Sequence, residues 1–215
     1  MIPSRISRAP EAGRPVLIAL LAAGRGRRML GRDKPRLRIR GQSLLQRLKN
    51  TVSTVGLPMI VIDGCHRRKN GLPHVYNRAW RSGMGSSVAL AARMALSLPI
   101  RPAALILLPA DLVLLDTRLL PELIRIWREK PGSAVATAHH GLPGAPALFP
   151  PRDWRRLARL RGPEGARRLL RQSSMPVRLV DGDGRMHDID TLQDLRLIRE
   201  QLAPDHRQPV TKQLY

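Results

Sequence analysis

The sequence predicts an α/β protein, a mostly parallel sheet covered by helices on both faces. Short apolar runs of strand length alternate along the chain with longer segments of helical periodicity, the pattern of successive βαβ units. Those runs are apolar almost throughout, as strands buried on both faces must be. Hydrophobic residues make up 43% of the 215 positions, enough for a packed core.

The elements follow in order. "PVLIALLAAG" is a buried strand running into a glycine loop. "GQSLLQRLKNTVSTVG" places Leu44, Leu45, Leu48, Val52 and Val55 at helical spacing and stops at Gly56. "LPMIVIDG" and "PHVYN" are the next strands, and "GSSVALAARMALSLP" is an Ala-rich helix opening on serines that can cap it. "PAALILLPAD" is the most apolar strand. "TRLLPELIRIWREK" is helical with Thr117 as its expected cap, and "GSAVATAHH" and "GAPALF" are short strands around a turn. "PRDWRRLARL" and "EGARRLLRQS" are helices with arginine outer faces. "PVRLVDGDG" and "HDID" are late strand pieces, and "TLQDLRLIREQLA" is a closing helix capped by Thr191. The expected organisation is a basic extension over 1–15, one domain over 16–203 and a solvated tail over 204–215.

Composition narrows the partners. A net charge of +22 attracts anions such as nucleotides and phosphorylated cofactors. Only five of the 38 basic residues are lysine, a one-sidedness that general arginine bias accounts for at most positions. Aromatics are 3%, so there is little on which to stack bases, and no helix-turn-helix or zinc-finger spacing is present. A specific nucleic-acid partner is therefore not expected. No apolar run reaches the roughly 18–20 residues that span a bilayer, and no signal peptide is read at the N-terminus. The single cysteine, Cys65, makes no internal disulfide, which fits a cytoplasmic setting and excludes a cysteine-built zinc site.

Open α/β sheets bind ligands beyond the carboxyl ends of their strands. That rule singles out "AAGRGRR", "IDG", "NRAWRSGMGSS", "PAD" and "DID". In the first loop, Gly24 and Gly26 let backbone N–H groups face an anion, and Arg25, Arg27 and Arg28 add fixed charge. Lys34 adds a compact point charge suited to a phosphate oxygen. The loop is neither a P-loop nor a dinucleotide fingerprint. In "NRAWRSGMGSS", Gly83 and Gly85 precede a helix start, which reads either as a second anion or base-edge site or as a capped helix with a glycine turn. Asp111 and Asp190 end two strands, and carboxylates so placed could share one Mg²⁺, with Asp188 competing for the second position. Each has a plainer reading too, a turn for Asp111 and a helix-dipole partner for Asp190. His139 and His140 point to opposite faces of a strand, His187 is isolated, and Cys65 with His66 has no further partner.

Together, "LAAGRGRRMLGRDK", "NRAWRSGMGSS", "LLPAD", "GAPALF", "LRGPEGARRLL" and "DIDT" occur in an order that resembles the MobA/MocA-like nucleotidyltransferases. The similarity covers about residues 16 to 200 and is nearest to the molybdenum cofactor cytidylyltransferase branch. It implies a Rossmann-like three-layer sandwich of the nucleotide-diphospho-sugar transferase type. It also implies transfer of a nucleoside monophosphate from an NTP to a phosphate monoester; in this branch CTP and molybdopterin react, and a molybdoenzyme receives the product. By the same resemblance Leu21, Ala22, Ala23, Gly24 and Arg25 would line the base and phosphates. Lys34 would hold the triphosphate with Arg28 nearby, and Asp111 and Asp190 would hold Mg²⁺. Gly144 and Pro146 would lie near the acceptor or base, and Asn77 and Ser86 would contact the nucleotide. Alanine at position 23 goes with CTP in that family, glycine with GTP. This chain departs from the pattern at Gly26, usually serine, at Leu112-Val113 after Asp111, and at Glu164, displaced to follow Pro163. Rival expectations are guanylyl transfer, another phosphorylated small-molecule acceptor, and a non-catalytic basic carrier of the cofactor.

Overall fold

The computed structural model describes residues 13–24, 34–66, 73–112, 114–172, 174–187, 189 and 191–201. Among the described residues nine strands are formed: β1 (Val16–Leu21), β2 (Arg38–Ile39), β3 (Gln42–Ser43), β4 (Met59–Asp63), β5 (His74–Tyr76), β6 (Ala104–Pro109), β7 (Ala134–His139), β8 (Leu142–Phe149) and β9 (Val177–Asp181). The helices are α1 (Leu44–Thr54), α2 (Met84–Ser97), α3 (Leu119–Glu129), α4 (Pro151–Leu157), α5 (Arg167–Leu170) and α6 (Leu192–Gln201). Short 3-10 turns cover Lys34–Arg36 and Trp80–Ser82.

Seven strands make one sheet in the order β5-β4-β1-β6-β8-β7-β9. Only β8 runs against its neighbours β6 and β7; every other pairing is parallel. This is the α/β sandwich with a mostly parallel sheet that the periodicity predicts. The chain leaves β1 towards β4 on one side and later returns to β6 on the other. The carboxyl ends of β1, β4 and β6 thus form the switch point where such sheets open a ligand crevice.

Alternation builds two cores. Ile18 and Leu20 face a layer with α1 and α3, and Leu17, Ala19 and Leu21 face a layer with α2 and α4. Small residues Ala91, Ala92 and Ala95 bring α2 close to the sheet, beside the fully buried Trp154 of α4. Trp154 satisfies its indole N–H by donating to Phe149 O at 3.0 Å. A third, smaller cluster joins Ile39, Leu44, Ile189, Leu195 and Ile198, so α6 closes over the β2–β3 hairpin.

Several local expectations change. The helix expected from Gly41 starts at Leu44, because Arg40 (φ 50°) and Gly41 (φ 76°) make a two-residue hairpin turn joining β2 to β3. Ser43 then caps α1, its Oγ accepting from Gln46 N at 3.1 Å. His140 and Gly141 make a second such turn between β7 and β8. Thr117 does not cap α3; Asp116 accepts from Arg118 N at 2.9 Å instead. Ser86 and Ser87 do not cap α2, which begins at Met84, so both lie buried within its first turns. Thr191 does cap α6 reciprocally, accepting from Asp194 N at 3.1 Å while Asp194 accepts from Thr191 N at 2.7 Å. His187 and Ile189 are not in a strand; Ile189 N instead donates to Asp111 O at 3.2 Å. Arg25, Gly26, Arg27, Arg28, Asp188 and Asp190 lie outside the described residues, as does the tail from 202.

Candidate functional site

The first loop grows straight out of the core. β1 pairs with both β4 and β6, so its exit is held on two sides. Ala22 N donates to Ile62 O at 3.0 Å, and Cys65 N donates to Ala23 O at 3.2 Å. Gly64 lies so close that an added Cβ would be 2.6 Å from Ala23 Cβ and 2.7 Å from Trp80 Cβ. Ala22 and Ala23 are therefore buried and fixed, and their place in the wall of the crevice is set by the sheet. Gly24 differs: an added Cβ there meets nothing within 4 Å among the described residues. Packing among the described residues does not require glycine at that position.

The chain returns at Lys34, where the 3-10 turn begins. Its Nζ lies 3.5 Å from Asp111 Oδ2, just past the end of β6. Pairing of Leu21 with Pro109 puts the ends of β1 and β6 side by side, and Ala110 N donates to Leu21 O at 3.2 Å. A cation and a carboxylate 77 positions apart in sequence thus meet at the switch point. Ile189 N donates to the backbone carbonyl of Asp111 at the same strand end. Among the described residues no three His, Cys, Asp or Glu side chains cluster as a metal site. Asp111 is a hard oxygen donor, one-third exposed, at a strand end where anionic phosphate would add further oxygens, so it fits Mg²⁺.

Asn77 and Ser86 are both buried and bonded to one another at the start of α2. The Asn77 amide donates to Ser86 Oγ at 2.8 Å and Ser87 Oγ at 3.0 Å, and its Oδ1 accepts from Ala79 N at 3.0 Å. Ser86 Oγ donates to Gly83 O at 2.8 Å. Asn77 N also donates to Asp63 O at 2.7 Å. Both side chains are committed inside the protein, tying the end of β4 to the start of α2. The glycines before α2 serve packing in the same way. Gly85 N donates to Gly162 O at 2.9 Å, so this helix-start N–H is used internally. An added Cβ at Gly83 (φ +105°) would lie 2.6 Å from Gly162 O. Of the two readings of that stretch, the structural one accounts for these bonds.

Beside this clamp lies a cavity of about 380 Å³ whose floor includes Leu21 and Leu107 and whose wall carries Arg167, Arg168 and Arg171. Gly144 lines it, whereas Pro146 is buried behind, its carbonyl accepting from Thr137 Oγ1 at 2.6 Å. Met84 stands exposed at its edge. Sequence reasoning missed the three arginines as a cavity wall, because they are part of a chain-wide arginine excess. Trp80, within the stretch singled out from the sequence, carries the Arg81 guanidinium over its ring at 4.6 Å.

The protein is thus of the α/β class, with a Lys–Asp pair at the switch point of a mostly parallel sheet and a cavity lined in part by arginines. The chain belongs to the MobA-like NTP transferase family, whose model matches residues 18–177. No curated protein matches the sequence. Among solved structures, Rv0371c from Mycobacterium tuberculosis H37Rv superposes with a TM-score of 0.72 at 24% identity, covering 87% of this chain and 98% of that one. A structure of Rv0371c in complex with manganese gives 0.69 at 22% identity, covering 87% and 100%. Molybdopterin-guanine dinucleotide biosynthesis protein A from Archaeoglobus fulgidus gives 0.64 at 17%, covering 86% and 97%. At these identities the structures speak for the shared nucleotidyltransferase-type fold. No helix among the described residues is long and apolar enough to cross a membrane.

Proposed function

We propose that this protein transfers CMP from CTP to the phosphate of molybdopterin, releasing pyrophosphate. The observation that carries the reading is the meeting of Lys34 and Asp111 at the β1/β6 switch point. An oxygen of the acceptor phosphate attacks the α-phosphorus of CTP, a new P–O bond forms, and the bond to the bridging oxygen of pyrophosphate breaks. The attacking group is already an anion, so the reaction needs no strong base. It needs alignment and charge neutralisation. Lys34, with Arg28 and Arg25 in the loop before it, would neutralise charge on the β- and γ-phosphates. Asp111 and Asp190 would hold Mg²⁺, which when bound supplies Lewis-acid neutralisation of the triphosphate. The backbone of Leu21, Ala22, Ala23 and Gly24 would line the base and phosphates, and Ala23 is the feature that favours CTP over GTP. Asn77 and Ser86 would act by positioning the start of α2. The cavity at Gly144 would take the acceptor, its arginines facing the phosphate.

The test is product analysis. The protein is incubated with Mg²⁺, molybdopterin and either CTP or GTP, and the pterin product is identified by mass spectrometry. A cytidylylated product supports the reading. A guanylylated product overturns the base assignment while keeping the transferase. No nucleotidylated product together with tight molybdopterin binding overturns catalysis in favour of a carrier.

A further inference from the structure

Strands β7 and β8 pair Val135 with Leu148 and Ala136 with Ala147, and then the register jumps to Thr137 with Gly144. Ala145 and Pro146 are left as a bulge in β8, outside the ladder. Bulges bend a strand and re-aim it, often beside a functional site. Here each bulge carbonyl takes a side-chain donor from β7 instead. Thr137 Oγ1 donates to Pro146 O at 2.6 Å, and His139 Nε2 donates to Ala145 O at 3.1 Å. A carbonyl only accepts, so Nε2 is a ring nitrogen that carries hydrogen.

Both donors are packed in place. Thr137 is fully buried, and an added Cβ at Gly182, just past β9, would run into its Cγ2. The His139 ring lies against Gly144, where an added Cβ would come within 2.8 Å of Cδ2. Gly144, Ala145 and Ala147 line the arginine-walled cavity, and Thr137 and His139 do not. Along β7 these two alternate with Ala134 and Ala136, which share the cavity-side core layer with Leu21, Leu107 and Ala147. Thr137 and His139 therefore brace the cavity wall from behind.

We propose that Thr137 and His139 are positioning residues for the acceptor: by tying down the Ala145–Pro146 bulge they set where Gly144 and Ala145 stand, and so how tightly the cavity holds the acceptor, without touching it. The inference rests on the acceptor position given under the proposed function. The crevice wall at Ala22 and Ala23 is fixed separately, by β1 and β4, so loss of either donor weakens the acceptor and spares the nucleotide.

The experiment titrates the full chain with molybdopterin and, separately, with CTP and Mg²⁺ in a calorimeter, alongside a thermal melt. It compares wild type with His139→Leu, His139→Gln, Thr137→Val and Thr137→Ser. His139→Leu and Thr137→Val, which lose the donor, are expected to bind molybdopterin about five- to tenfold more weakly, the worth of one neutral hydrogen bond, with CTP affinity unchanged. His139→Gln and Thr137→Ser keep a donor and are expected to stay at the wild-type affinity. His139 is only half-buried, so His139→Leu is read even where Thr137→Val lowers the melt. Wild-type molybdopterin affinity in both donorless variants overturns the positioning role, as does an equal loss of molybdopterin and CTP binding, which marks general loosening. His139→Gln as weak as His139→Leu overturns the hydrogen bond as its cause. A wild type that binds CTP and no molybdopterin overturns the acceptor reading itself, and the inference with it.

Discussion

Gly85→Ala sets two effects of opposite sign against each other. Position 85 lies in the first turn of α2, and alanine is preferred to glycine inside a helix by about 1 kcal/mol. On propensity alone the variant would be more stable. The structure opposes this, because the added Cβ would sit 2.7 Å from the Arg161 carbonyl carbon and 2.8 Å from its oxygen. Those are backbone atoms, so relief requires the 161–165 segment to move away. Overpacking of this kind costs about 1–3 kcal/mol. The movement also stretches the bond from Gly85 N to Gly162 O, now 2.9 Å, worth about 1 kcal/mol. The close approach wins, and a net loss of about 1–3 kcal/mol is expected. Urea unfolding followed by circular dichroism reads this as a fall in midpoint of about 0.5–1.5 M at a slope near 2 kcal/mol/M. A Gly85→Ala protein as stable as wild type, or more so, refutes the claim that the start of α2 is clamped against the 161–165 loop.

Other consequences are equally direct. Gly24→Ala, where the added Cβ meets no described atom, should leave the urea midpoint unchanged and weaken nucleotide binding in a calorimetric titration. Trp154→Phe keeps most of the buried ring but leaves Phe149 O without its donor, so stability should fall by about 1–2 kcal/mol in the same urea assay. Burial raises the Asp153 carboxyl above its ordinary range against the pull of Arg152 and Arg156, and its Oδ2 has no hydrogen-bond partner among the described residues. The ionised form is therefore costly in the fold above the unfolded carboxyl's pKa of about 3.9, so Asp153→Asn should melt higher than wild type at pH 7 and lose that advantage as pH falls below about 4. Asp116 behaves oppositely: hydrogen bonds from the guanidinium and backbone N–H of Arg118, and then from Arg185, lower its pKa to about 2. Its contribution is complete above an unfolded pKa of about 3.9 and is lost as pH falls towards 2, so Asp116→Asn should cost about 1 kcal/mol at neutral pH and nothing at the acid end.

The sheet was legible because each buried strand is an unbroken apolar run, as in Val16–Leu21 and Ala104–Pro109, and such runs need no distant information. Cap and turn details were harder. The Arg40–Gly41 turn lacks the Asn-Gly or Asp-Gly signal that marks a tight hairpin, so the helical periodicity beyond it was extended too far. Asp116 and Thr117 are both good capping residues by type, yet neither side chain caps α3; Asp116 is instead engaged with Arg118 and Arg185. Local composition left two readings open at Gly83 and Gly85, because the backbone that crowds them lies far along the chain at Arg161 and Gly162. Lys34 and Asp111 stood out singly by residue type and loop position, but their meeting is a property of the β1–β6 pairing and could be expected only through the family resemblance.

If Lys34 and Asp111 form the reacting centre of a nucleotidyl transfer, turnover needs both. Its most direct measurement is steady-state pyrophosphate release with CTP, Mg²⁺ and molybdopterin for wild type, Lys34→Ala, Asp111→Ala and Lys212→Ala. Release by wild type and Lys212→Ala alike is expected, with a fall of about 100-fold or more in kcat for Lys34→Ala and no release from Asp111→Ala. Wild-type rates in both Lys34→Ala and Asp111→Ala would contradict it.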